Sequence, residues 1–505
     1  MRGAYESVES AARRRPHPRL SVSAQALLDE FGRERLSSMI AHSVRNDPEA
    51  RTLIRRTQDY TVGTGPRMKA KSGDARFDKQ IAKLWQDYTT KKDPIRIDIA
   101  GMKTLVGCMN AIISEWFTGG RVGAVMVTTG HAAGSIQLIS SVRMRNPRST
   151  QDDDTHTAGI EFLKDGPPTR FHVADWAHGG RYLSHNTSPV PAESFLYMPQ
   201  PMDQEIDIYA PEPILGVGIR SIEQLNEFAS ATSAAGTVGA TSPLVHTEAE
   251  DHDEAEVEQS GDGSQPGYGT DEQGNDELRI DKTSVGLIFR AKHGEALSSM
   301  RQEFPSGAVR PFIQMQLARI SATMGVPAPI LTGDWTGISF NGAKMVQAAY
   351  GVTRDRLFAG LVTDFLDPLY RFFVDFCIIH KLIRPPVGRE TDVYEVEFRP
   401  PVLPEPDPAK AEQTWGFRLN RGMSTMQEYL EPKGRTPREH FAILAEEREL
   451  AKEFGVVHPV DSDDTGKDDQ IAEPKPGERE LDGAGGGAPG EGKGGELVET
   501  GEGTR

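Results

Sequence analysis

Between Gly342 and Ile383 the apolar residues keep a helical period: Phe358, Leu361, Val362, Phe365, Leu369, Phe372, Phe373 and Phe376 fall on one face. At 1.5 Å per residue, a continuous helix over this span would be about 60 Å long. Its aromatic stripe reads as core. Pro368 stands inside the pattern, where the lost N–H donor and the ring clash cost about 3 kcal/mol. The sequence therefore predicts one long helix over 342–383, kinked at Pro368.

Directly before it lies "GVPAPILTGDWTGISFN", residues 325–341. Trp335 and Phe340 flank Gly337, a residue free to take backbone angles closed to others. A packing plug and a functional lip both fit two aromatics on such a loop.

Elsewhere the chain divides by composition. Residues 1–30, with Arg13, Arg14 and Arg15, read as a mobile basic arm. Helices are expected from Leu28 to about Asp59, with Asp47 as cap and Pro48 at a first helical position, around "FDKQIAKLWQDYT", and through "DIAGMKTLVGCMNAIISEWFTGG", stopped by Gly119 and Gly120. "GRVGAVMVTTG" alternates as a strand, and "GIEFL" and "SFLYMP" suggest a mixed sheet with long loops over 130–215. "SIEQLNEFASATSAAGTVGA" is helical. The segment 248–277 has no Lys or Arg and almost no apolar residue, so it reads as an exposed, mobile insertion. "GAVRPFIQMQLARISATMG" is helical again. Beyond the connector "PPVLPEPDP" come two or three short helices, with Ser424 or Thr425 as an N-cap. From Asp461 an acidic, Gly-rich tail is expected to be disordered.

With 505 residues the chain has room for two to four structural units. Its net charge of −17 argues against a basic groove that grips nucleic acid. Two cysteines, Cys108 and Cys377, both in apolar runs, exclude a disulfide framework and a cysteine-ligated zinc site. No window approaches eighteen apolar residues, so no membrane span is expected.

No catalytic pattern stands out in the sequence. "GAPGEGKG" ends in Gly where a phosphate loop needs Ser or Thr, and "GVGIRS" lacks the third Gly of a dinucleotide fingerprint. His172, His178 and His185 sit in a loop-rich region and read as surface histidines, because no carboxylate or Cys pattern beside them completes a metal site. "DDDTH" at 152–156 lacks the Gly and Glu of a calcium loop. The expectation is a non-enzyme without cofactor or metal.

Three stretches resemble the lambda-like family of phage portal proteins. They are "HSVRNDPEARTLIRRTQDYTVGTGP", then "QLARISATMGVPAPILTGDWTGISFNGAKMVQAAYGVTRDRLF", then "DPAKAEQTWGFRLNRGMSTMQEYLEPKGRTPREHFAILAEERELAKEFGV". This chain has Ser-Phe-Asn-Gly-Ala-Lys where the family usually has Asn-Tyr-Ser-Ser-x-Arg.

The resemblance implies an α+β subunit with wing, helical stem, clip and mostly α-helical crown, assembling into a ring of about twelve copies. It implies a place in the virion at one capsid vertex, after assembly in the host cytoplasm. The implied partners are the terminase large subunit, major capsid or scaffold protein, a head-completion adaptor, and double-stranded DNA passing without sequence specificity. By analogy 31–221 is wing, 222–247 and 301–323 are stem helices, 248–300 is clip, 324–341 is tunnel loop, 342–383 is tunnel helix and 384–460 is crown. The loop residues facing DNA would be Asp334, Trp335, Thr336, Gly337, Ile338, Ser339, Phe340 and Asn341.

About twelve such chains would carry on the order of −200 charges, against one DNA charge per about 1.7 Å of axis, which disfavours tight ion pairing. Two other readings are a portal-like ring of a prophage-derived particle or gene-transfer agent and, from a different class, a soluble enzyme with an acidic lid.

Overall fold

Asp29 starts the first helix: its carboxylate accepts the Gly32 N–H at 2.7 Å, satisfying one of the donors a helix start leaves open. The computed structural model describes residues 29–240 and 309–458, apart from short gaps at 91–94, 148–151, 154, 165, 178–181, 203–208, 402–407, 431–432, 434 and 436. It also describes four short strands between 245 and 290. The basic arm to residue 28, the tail from 459 and most of the acidic insertion lie outside the described residues.

In chain order the helices and strands begin with α1 (Glu30–Asn46), α2 (Pro48–Thr61), β1 (Arg67–Ala70), α3 (Ala75–Thr89) and α4 (Leu105–Gly119). Asp47 stands at the N-cap of α2 with Pro48 behind it, but its carboxylate accepts from Ser43 Oγ of the preceding helix instead of capping. Asp74 does cap α3, accepting from Arg76 and Phe77 N–H. Residues 98–104, expected to be helical, are not. Asp98 bridges to Ile136 and its carboxylate takes the Met102 and Lys103 N–H groups, so α4 starts only after Thr104. A short polar side chain has here outcompeted the helix for its own backbone donors.

Next come β2 (Arg121–Met126), β3 (Ile136–Ser140), β4 (His156–Thr157), β5 (Ile160–Phe162), β6 (Pro168–Ala177), β7 (Tyr182–Pro191) and β8 (Phe195–Pro199). They form two antiparallel sheets, ordered β3-β2-β8 and β4-β5-β6-β7. Ile139, Ile160, Phe171 and Phe195 make a small core between them, with Phe171 and Phe195 stacked at 4.3 Å.

Then follow α5 (Ile219–Ala240), the strands β9 (Val245–His246), β10 (Tyr268–Thr270), β11 (Asp276–Leu278) and β12 (Phe289–Arg290), α6 (Val309–Met324) and α7 (Ala328–Thr332). Part of the acidic insertion does form structure, because β10 and β11 pair as a short hairpin; β9 and β12 pair in parallel.

The long apolar stripe becomes α8 (Phe340–Leu361), a π-helical turn at Val362–Leu366 and α9 (Asp367–Ile379). The helix thus starts two residues earlier and ends four earlier than expected, and the irregularity is a widened turn directly before Pro368. In that turn the Asp367 N–H bonds back five residues to the Val362 carbonyl, next to the residue that has no N–H of its own. Leu361, Phe365, Leu366, Leu369, Tyr370 and Phe373 are fully buried. Trp85 and Tyr88 of α3 meet Phe373 at 5.3 and 4.7 Å, each such ring pair being worth about 0.5–1.5 kcal/mol beyond its area.

β13 (Val396–Arg399) pairs antiparallel with β1, the distant strand near the start of the chain. The chain divides into two compact units between Ala411 and Glu412, and β13 belongs to the first. The remaining helices are α10 (Pro408–Asn420), α11 (Met426–Leu430) and α12 (Pro437–Glu453). Thr425 and Glu428 exchange side chain to backbone bonds at 3.2 Å in both directions, a capping box that starts α11.

Glu212 lies beside the α4–β2 junction, and burial pushes its carboxyl up to about 7 from 4.5. Between those two pH values the folded chain holds a proton that the unfolded chain has lost, so stability falls as pH rises across that window. Glu212→Gln is expected to flatten that fall. Urea midpoints at about pH 5 and about pH 8 check it, and an unchanged difference between the two would contradict it.

Candidate functional site

Two helices leave the body side by side. α5 is buried at Ile219, Ile222 and Leu225, and exposed at Glu227, Ala229, Ser230, Ala231, Ser233 and Ala234, while Phe228 meets Phe312 of α6 at 4.3 Å. In α6 the buried positions are Gln316, Ile320, Ser321 and Met324, none of them in its first seven residues. The hairpin is therefore anchored at one end and carries its own pairing beyond it.

From α6 the chain reaches α8 through a built loop, each turn of which has a local cause. Gly325 takes φ 64° and passes so close to α8 that a Cβ there would lie 3.2 Å from Thr353. Pro327 precedes α7, and Gly333 closes that helix at φ 72°, its N–H bonding the Pro329 carbonyl at 2.9 Å. The Asp334 carboxylate accepts the Thr336 N–H at 3.0 Å and the Thr336 hydroxyl at 2.5 Å; these bonds hold its pKa below the ordinary carboxylate value. Gly337 at φ 77° allows Ile338 N–H to return to the Trp335 carbonyl at 3.2 Å. Ser339 then caps α8 through the Gly342 N–H at 3.1 Å.

The eight loop residues singled out from the sequence thus share one segment but not one environment. Asp334, Thr336, Gly337, Ser339 and Asn341 are exposed. Trp335 is half-buried and packs against the main core, and Ile338 is half-buried. Phe340 is 45% exposed, already in the first turn of α8, with the Lys344 ammonium 4.7 Å from its ring centre. Arg310, at the start of α6, reaches to 4.0 Å from Asp334. A cleft of about 770 Å³ lies between α6, α7 and the loop, lined by Val309, Ile313, Leu317 and Pro329 among others.

Sequence reading missed Arg310 and Lys344. Lys344 was findable, since it stands four residues after Phe340 on a helix. Arg310 was not, because only the folding of α7 and the loop back along α6 brings it near Asp334.

Beyond the loop, α8 presents to solvent Asn341, Lys344, Met345, Ala348, Ala349, Val352, Asp355, Arg356 and Ala359. The stripe is small and mostly uncharged, with Met345 72% and Val352 65% exposed. Past it, Asp364 in the π turn has its carboxyl pushed up to about 6 by burial, and Pro368 sits in the first turn of α9.

The sequence pattern of a family described as phage portal protein, lambda family, matches residues 13–351. This chain belongs to the lambda family of phage portal proteins. The match runs through both hairpin helices and the loop, and ends within α8.

Among solved structures, the portal-family chain is similar to a chain from the neck of an empty gene transfer agent particle, at 12% identity and a TM-score of 0.43, covering 79% of this chain and 93% of that one. A chain of the native gene transfer agent virion gives 13% identity and a TM-score of 0.42, covering 83% and 100%. Comparison with curated proteins finds no match. Among the described residues no helix is long and apolar enough to cross a membrane.

Proposed function

We propose that this chain is the subunit of a portal ring at one vertex of a capsid, through which double-stranded DNA is driven in by terminase and later leaves, and which joins head to tail. The observation that carries this reading is the family match over 13–351, the part of the chain holding the α5–α6 hairpin and the loop. Heterologous contacts that close on themselves give such rings, here of about twelve copies. In this assignment α5 and α6 are stem, the strands between them belong to the clip, residues 334–341 line the channel and the C-terminal helices form the crown.

The exposed stripe of α8 supports the assignment. Five of the nine residues it shows solvent are Ala, Met or Val. Lys344 and Arg356 are its only cations towards a polyanion, with Asp355 beside them, and exposed apolar residues of this kind also mark a surface that meets another chain. Phe340 is the loop aromatic most open to DNA, while Trp335 holds the loop against the body. Its role is to fix the position of the loop.

The two residues accordingly separate in a test on assembled particles. Phe340→Ala is expected to leave folding and ring formation unchanged and to lower retained DNA several-fold. Trp335→Ala is expected to lower thermal stability as well, because it removes a packed side chain. Mass measurement and negative-stain imaging report ring formation, and DNA per particle reports passage. Full packaging and retention by Phe340→Ala would remove the loop from the channel, and failure to form rings with capsid and scaffold proteins present would remove the ring itself.

A further inference from the structure

Three ligand-bearing side chains meet on one face of the four-stranded sheet. His156 of β4 stands directly opposite Glu161 of β5, whose neighbour on β6 is Arg170, and His172 lies two residues further along β6. Alternation puts Glu161, Arg170 and His172 on the same side, away from Ile160 and Phe171, which enter the small core. A ring nitrogen of each histidine and a Glu161 carboxylate oxygen lie within 4.8 Å of one another. Among the described residues no other group of three His, Cys, Asp or Glu side chains meets that condition.

We propose that His156, Glu161 and His172 bind one divalent transition-metal ion, with Zn²⁺ the best fit to the donor set. Two imidazoles and one carboxylate, with a fourth position left to water, are a ligand set that suits this ion; Mg²⁺ and Ca²⁺ take oxygen ligands. Bonds of about 2.0–2.1 Å in tetrahedral geometry place ligand atoms roughly 3.3 Å apart. Glu161 Oε2 and His172 Nε2 are already at 3.1 Å. The movement required falls on His156, whose side chain is 29% exposed on a two-residue edge strand.

One further contact fits the site. Arg170 approaches Glu161 Oε1 at 3.3 Å, which leaves Oε2 for the ion. His172 is 7% exposed, so an ion at its Nε2 would be held largely out of water; its Nδ1, which has no hydrogen-bond partner among the described residues, is the other ring nitrogen and is not a ligand. Asp153, at 3.7 Å from His156 Nδ1, is occupied by the Thr155 and His156 N–H groups and is not counted as a ligand. Bound metal would tie the short edge strand β4 to β5 and β6.

The test uses the full chain, dialysed against a chelator and titrated with CoCl₂ and then ZnCl₂, and it reads the same whether the protein is a ring or a single subunit. One Co²⁺ per chain is expected, with the visible absorption of a tetrahedral nitrogen and oxygen site, displaced by Zn²⁺ and not by Mg²⁺ or Ca²⁺. Glu161→Gln should weaken binding by more than the about 10-fold to 100-fold that loss of an outer partner of a metal ligand costs. His172→Ala should abolish it, but this residue is buried and its loss can disturb the sheet. His156→Ala, at a half-exposed edge position, is therefore the deciding variant: native circular dichroism with the tetrahedral spectrum lost supports the site. The same variant binding one Co²⁺ as tightly as wild type would overturn the proposal, as would the absence of stoichiometric binding in wild type.

Discussion

Gly120→Ala is expected to destabilise the first unit by about 3–5 kcal/mol, through left-handed strain and overlap with backbone that cannot step aside. Gly120 ends α4 at φ 78°, with its N–H on the Glu115 carbonyl at 3.0 Å and its own carbonyl accepting from Gln200. A Cβ there would lie 2.1 Å from the Pro211 carbonyl oxygen and 2.6 Å from the Glu212 carbonyl carbon. Gly130 provides the control, since it has a similar φ of 84° and no heavy atom within 4 Å of the same position. Gly130→Ala should cost only the dihedral strain, about 1–2 kcal/mol. Urea unfolding of the two variants separates the terms, and equal losses would show that the contact with Pro211 and Glu212 carries no energy of its own.

Arg121→Ala is expected to cost about 2–6 kcal/mol, because it leaves two buried carbonyl acceptors without their donor. Arg121 is 2% exposed and its guanidinium donates to the Ala158 carbonyl at 2.7 Å and the Met144 carbonyl at 2.8 Å. Without it both carbonyls lose a charge-assisted donor, and each buried acceptor left unpaired costs about 1–3 kcal/mol. Arg121→Met restores much of the volume but no donor, so it should recover only the packing part of the loss. A loss under about 1 kcal/mol for Arg121→Ala in urea unfolding would mean that water replaces the guanidinium at both carbonyls.

Arg121 also explains a strained residue nearby. Ala158 sits at φ 54° in the tight turn between β4 and β5, followed by Gly159 at φ 82°. Asn-Gly or Asp-Gly is the usual marker of such a turn, and Ala-Gly does not carry that signal. The conformation is held from outside: Asp152 accepts the Ala158 N–H at 2.8 Å, Asn146 accepts the Gly159 N–H at 2.6 Å, and Arg121 takes the Ala158 carbonyl. This is why the sequence reading of His172 considered His178 and His185 but not His156 or Glu161. The residues that meet are set by the register of a hairpin whose turn is shaped by distant side chains.

What the sequence alone determined was local. Pro48 after Asp47, Gly119–Gly120 after an apolar helix, the Thr425 cap and the aromatic stripe of 358–376 were all readable, because caps and helical periods arise from neighbours within one or two turns. The candidate loop was readable to the same extent, since Gly333, Gly337 and Ser339 punctuate it whatever surrounds them. Tertiary structure decided which of its aromatics is held and which is open: Trp335 rests on the core and Phe340 does not. It also decided the pairing of β1 with β13, the place of the π turn before Pro368 and the meeting of His156, Glu161 and His172. Each of these depends on chain segments far apart in sequence, and their contact is won against loop entropy by the whole core together. No single stretch of residues carries that information.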